Sequence, residues 1–169
     1  MAWMTWQMNV AMEPAVDDSE FGIVDFELAG EPEQAVEILD DWGQDGREGT
    51  ERAIKIDFAY LVAYSVLLTL ACASVAIILD QRGWGRTARA GWRLAALSPL
   101  AGVLDAVENI ALLRVLNEYD SGTISNSVTQ VANVAASAKF AIVMVGFAFV
   151  IIAAVGLAAT RTRSQNPAD

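Results

Sequence analysis

The 169-residue chain contains no histidine and a single cysteine, Cys72. Without imidazole there is no histidine ligation of haem or zinc and no histidine general base. One cysteine excludes an internal disulfide, and its place inside an apolar run marks Cys72 as a small buried hydrophobe rather than a reactive thiol. Bases are scarce as well: 11 Lys and Arg stand against 21 Asp and Glu, for a net charge of −10. Nucleic acid is therefore excluded as a partner, because binding its phosphates requires clustered cations. The stretch GWGRTARAG lacks the Lys-Ser or Lys-Thr of a phosphate loop, and the acidic leader lacks calcium-loop spacing. The first residues, MAWMTWQMNVAMEP, have neither a basic n-region nor an apolar h-region and do not read as a cleaved signal peptide. Trp3, Trp6, Met4, Met8 and Met12 there offer either an apolar patch for a membrane surface or partner, or a frayed tail.

What the chain does have is long apolar runs, unevenly distributed. Residues 1–52 hold 14 of the 21 acids and two bases, Arg47 and Arg52. The expected organisation is an acidic extramembrane segment over 1–55, a transmembrane helical bundle over 56–159 and a cytoplasmic tail over 160–169. Within the acidic segment, EPEQAVEILDDWG predicts a short amphipathic helix near 31–42. Pro32 suits its first turn, Glu31 and Glu33 suit the positive end of its dipole, and Gly43 is placed to stop it. Ala35, Ile38, Leu39 and Trp42 share one side, while GQDGREG reads as a turn-rich linker.

Three spans follow. The first, about Ile56 to Leu79, gives ~36 Å of helix, enough for a ~30 Å hydrocarbon core with some tilt. The second runs from about Leu94 to Leu116, with Pro99 in its first turns, where a missing amide donor costs least. The apolar stretch from Val128 to Ala159 would make ~48 Å of helix, so it either projects beyond the lipid or breaks near 136–139. Arg82, Arg86, Arg89 and Arg93 lie in or beside the loop after the first span, flanked by Trp84 and Trp92, and Arg161 and Arg163 follow the third. The positive-inside rule then predicts a multi-pass protein of the cell membrane, with the N-terminus outside and the C-terminus cytoplasmic.

The second span carries Asp105, Glu108 and Asn109, which share one helical side at spacings of three and four. Counted from Leu94, Asp105 lies ~16 Å and Glu108 ~21 Å into the layer. A carboxylate at that depth costs several kcal/mol unless it is paired, protonated or facing water. Lys139, ~30 Å above the cytoplasmic end of the third span, has a stem long enough to reach down to them. Asp57 sits at the outer end of the first span, with Tyr60 and Tyr64 further in on the same face. The expected assembly is an intramembrane polar cluster of Asp57, Tyr60, Tyr64, Asp105, Glu108, Asn109 and Lys139.

The run LDAVEN at 104–109, with an Asp near the start of the first span and an acidic leader, resembles small bacterial integral membrane proteins that carry an L-D-x-x-E-N transmembrane helix. That resemblance implies a membrane assignment and marks Asp57, Asp105, Glu108 and Asn109; it implies no activity. D-x-x-E-N also resembles the acidic helix motifs of intramembrane prenyl- and phosphotransferases, which hold magnesium and a diphosphate. Those families have a second acidic motif and more spans, both missing from this sequence.

Three functions stay open on the sequence. The cluster holds a membrane assembly together, as in a small inner-membrane accessory subunit that forms a homo-oligomer or larger complex among membrane lipids. Alternatively, it receives a lipid headgroup, a cation or a small solute, or it serves a metal-dependent membrane lipid enzyme. No cofactor, metal site or catalytic residue is assigned.

Overall fold

The computed structural model describes residues 19–165, so the proposed tryptophan and methionine patch at the N-terminus lies outside the described residues. The protein is all-α, with three helices long and apolar enough to cross a membrane, and it is a multi-pass membrane protein. A five-residue helix, α1 (Ile23–Glu27), precedes the long helices α2 (Pro32–Gln81), α3 (Gly85–Asp120) and α4 (Asn126–Gln165). Two compact units contain these elements, one built from residues through Tyr64 with Gly102–Lys139, the other from Ser65–Ala101 with Phe140 onward.

In the first unit, α1 starts after Gly22, whose amide donates to the Asp25 carboxylate at 2.7 Å, so an acid in the first turn reaches back to the helix start. α2 begins at Pro32, and at Gly43 its backbone leaves helical geometry (φ 61°, ψ −168°), a left-handed conformation that glycine adopts without a Cβ penalty. Such an interruption leaves carbonyls without their usual donors. Arg47 supplies one, donating Nη1 to the Leu39 carbonyl at 2.9 Å while its guanidinium lies 4.8 Å from the centre of the Tyr119 ring. The core of this unit sets Phe26 of α1 and Ile38, Leu39 and Trp42 of α2 against Leu112, Val115 and Leu116 of α3 and Ala132 of α4.

The linker expected over GQDGREG is not present: the chain is helical from Gln44 through Gln81. Gly46, Gly49 and Thr50 are buried within that helix, so these two glycines form no turn. The turn between α3 and α4 does use glycine in the expected way. Gly122 has φ 82°, its amide donates to the Tyr119 carbonyl at 2.9 Å, and Thr123 donates to that of Glu118 at 3.1 Å.

In the second unit, the basic loop expected over 80–93 is a short turn at 82–84, and Arg86, Arg89 and Arg93 are already on α3. Pro99 consequently sits in the interior of the helix rather than in its first turns. Gly91 lets the chain pass closely here, since a Cβ on it would lie 2.9 Å from both the Ala76 Cβ and the Phe149 ring. Leu68, buried Cys72 and Ala95 form one packing layer, and Leu79, Ala88, Ala153 and Leu157 form another. α4 runs without interruption from Asn126 through Lys139 to Gln165, which removes the expected alternative of a break near 136–139.

Candidate functional site

The polar cluster lies in the first unit and is built around a lysine. On α3, Asp105 and Glu108 are 2% and 0% exposed, Asn109 is 3% exposed, and Lys139 of α4 is 7% exposed. The ammonium donates to Asp105 Oδ1 at 2.9 Å and to Glu108 Oε1 at 2.9 Å. Glu108 Oε2 approaches still closer, at 2.7 Å, as an ion contact without hydrogen-bond alignment. The three-residue spacing that puts both acids on one side of α3 thus lets a single donor bridge them.

A third acid completes the arrangement, and sequence reasoning missed it. Glu27 Oε2 of α1 lies 3.7 Å from the Lys139 ammonium. Two polar side chains of α4 fix the chain just after Glu27. Asn133 donates Nδ2 to the Leu28 carbonyl at 2.6 Å, and Thr129 Oγ1 lies 3.4 Å from the Gly30 carbonyl. The sequence did carry a signal: FGIVDFELAG is the apolar part of an acidic leader, and Phe26, 1% exposed, must bury somewhere. Its burial carries Glu27 to the lysine.

Asp57 joins the cluster through Asn109, whose Nδ2 donates to Asp57 Oδ2 at 2.8 Å. The buried Tyr64 hydroxyl faces Asp105 without an aligned hydrogen bond, and the Tyr60 ring centre lies 5.7 Å from that of Tyr64. The structure therefore brings Asp57, Asp105, Glu108, Asn109 and Lys139 into polar contact, adds Glu27, sets the Tyr64 hydroxyl beside Asp105 and leaves Tyr60 as a ring neighbour of Tyr64. Among the described residues no group of three or more His, Cys, Asp or Glu side chains is arranged to hold a metal ion. At the cluster, the Lys139 ammonium occupies the point between the carboxylates where a cation would sit.

Burial pushes the Glu27 carboxyl above its ordinary range, reinforced by the negative charges of Asp105 and Asp57 and opposed by Lys139. A carboxyl raised in the folded state binds its proton more tightly there than in the unfolded chain, so its contribution favours folding at low pH. That contribution is lost as pH rises from about 4.5 through the raised value. Glu27→Gln mimics the protonated form. The expected result is that the unfolding midpoint of wild type falls relative to that of the variant as pH rises through this window; a constant difference would show that Glu27 does not titrate there.

No family model matches the chain, and no curated protein or solved structure is significantly similar to it.

Proposed function

We propose that the protein is a small inner-membrane accessory subunit, and that its buried ion cluster holds the N-terminal segment to the membrane helices so that a fixed surface is presented to an assembly. The observation carrying this reading is the convergence of Asp105, Glu108 and Glu27, from two different helices, on one lysine of a third. Charge-assisted bonds from two helices to one side chain of a third tie the three together. Residues 19–55, with the amphipathic stretch from Pro32 to Trp42, form an extramembrane cap outside the cell membrane. The arginine-bearing turn at 82–84 and the C-terminal end are cytoplasmic, and the uninterrupted α4 projects beyond the lipid at its N-terminal end. Large apolar side chains such as Val62, Leu70, Ile152 and Val155 remain exposed for lipid or for a partner's helices.

Native mass determination after mild detergent extraction tests this: a homo-oligomer or mixed complex is expected, and a chain recovered as a monomer under every mild condition overturns the subunit reading. Cysteines placed at Gln44 and Gln81 in a Cys72→Ser background test the orientation. Impermeant reagent should label the first in intact cells and spare the second.

A second reading is favoured by the imbalance of charge. Three carboxylates surround one ammonium, with the Tyr64 hydroxyl buried beside Asp105. This arrangement suits binding of a small cation or polar solute, and calorimetric titration with sodium, potassium and magnesium, compared with Asp105→Asn, distinguishes it from a purely structural tie.

A further inference from the structure

The second unit inverts the charge balance of the chain. The protein carries −10 overall, yet residues 65–101 and 140–165 hold six arginines, and Asp80 is the one acid among these described residues. Arg82, just before α3, donates Nη1 to the Thr160 hydroxyl at 3.3 Å. Arg86, Arg89 and Arg93, in the first turns of α3, are exposed, and among the described residues none of them has an ion pair or a side-chain hydrogen bond. Their spacings of three and four put all three on one side of the helix. Trp84 and Trp92 are exposed at the same end of the unit.

Packing within the unit sets their depth. Ala88 shares a layer with Leu79, Gly91 approaches Ala76, and Ala95 shares a layer with Cys72. Arg89 and Arg93 therefore stand level with α2 residues between Leu79 and Cys72, ~3–9 Å inside the polar end of α2 at Asp80. The exposed side chains at that depth include Ile77 and Ile78 of α2 and Ile151 and Ile152 of α4, an apolar surface suited to hydrocarbon. An unpaired guanidinium is costly there unless it reaches a counter-charge or water. The Cα–Cβ bonds of a helix tilt toward its N-terminus. The N-terminus of α3 is at this end, so the arginine stems lean toward the headgroup layer, where the available counter-charge is phosphate.

We propose that Arg86, Arg89 and Arg93 form a site for anionic phospholipid in the leaflet at this end of the second unit. Their guanidiniums donate to headgroup phosphate oxygens, which match the planar fork of donors. A zwitterionic headgroup would bring its own cation to a surface where Asp80 is the only acid among the described residues. Charge complementarity thus favours a headgroup without an ammonium among lipids that share the same apolar tails. The site is the same for either orientation of the chain, and for a monomer or a complex.

The test is reconstitution in vesicles of equal parts phosphatidylglycerol, phosphatidylethanolamine and phosphatidylcholine, followed by mild detergent extraction and native mass spectrometry of retained lipid. Phosphatidylglycerol is expected to be enriched over the other two on the wild-type protein, although the chain's overall negative charge works against it. Arg89→Gln with Arg93→Gln should lower that enrichment about tenfold, the order of effect for losing two arginines at a membrane surface. Arg52→Gln with Arg114→Gln changes the net charge equally at two exposed positions whose guanidiniums bond within the chain, to the Glu48 carbonyl and the Glu118 carboxylate, and should leave the enrichment unchanged. Equal retention of the three lipids by wild type, or a preference for either zwitterionic lipid, would overturn the proposal without recourse to any variant. So would wild-type enrichment in the Arg89 and Arg93 pair, or an equal loss in the Arg52 and Arg114 pair.

Discussion

Replacing Lys139 with Met is expected to destabilise the protein by about 3–5 kcal/mol, the magnitude for breaking a buried ion pair by removing one partner. The effect is large because the lysine is the common donor to Asp105 and Glu108, which have almost no exposure, and the methionine leaves both in an environment that cannot solvate them. Equilibrium unfolding in detergent micelles, followed by helical circular dichroism, measures the loss. Glu108→Gln in the Lys139→Met background should recover part of it, since one stranded charge is removed, and adding Asp105→Asn should recover more. The cycle also separates the two functional readings. If the cluster is a tie, the variant in which Lys139, Glu108 and Asp105 are all neutralised, combined with Glu27→Gln, regains both stability and membership of its complex. If the cluster binds a solute, it regains stability alone. An absence of coupling between Lys139 and either acid would mean that the observed pairs contribute nothing to stability, and the tie would have to be abandoned.

Trp42→Ala carries the second large effect, again about 3–5 kcal/mol, the usual cost of truncating a buried aromatic side chain to alanine. Trp42 is 4% exposed, packs edge to face against Phe26 with ring centres 5.3 Å apart, and donates its indole N–H to the Phe21 carbonyl at 2.9 Å. Truncation opens a cavity beneath α1 and releases the chain on both sides of it. Hydrogen exchange should show the amides of residues 21–28 losing protection far more than those of α3 around Val115. Trp42→Phe, which keeps the ring stack and gives up the hydrogen bond, should retain most of the protection. If α1 stays protected in Trp42→Ala, other contacts hold it, the nearest being the clasp of Asn133 on the Leu28 carbonyl.

Several of the fold's features are legible in the sequence alone. The number of apolar helices follows from run length, since a span of given thickness requires a given number of apolar residues. Asp105, Glu108 and Asn109 stood out because polar groups that would be ordinary on a water-facing helix are costly in an apolar one, and helical spacing alone put them on one side. The boundaries were harder. Glycine in GQDGREG and arginine in DQRGWGRTARAGWR are local signals for turns and loops, but the same residues stand within helices here. Gly46, Gly49 and Gly91 are buried, and at Gly91 a side chain would run into Ala76 and Phe149, which is a property of the neighbouring element and is invisible in the local sequence.

The site divides in the same way. By itself the sequence determined the helical composition, the candidate acids on one side of α3, and Lys139 as the cation with the reach to meet them, because periodicity, length and the cost of buried charge act within a single segment. Only the tertiary structure decided that Glu27 is a third partner, that Asn109 bonds Asp57, and that the Tyr60 ring packs against that of Tyr64. Those outcomes depend on how Phe26 and Trp42 pack and on which loop carbonyls Asn133 and Thr129 reach. Contacts between segments distant in the sequence are set by the sum of all such packing choices at once, and no local pattern encodes that sum.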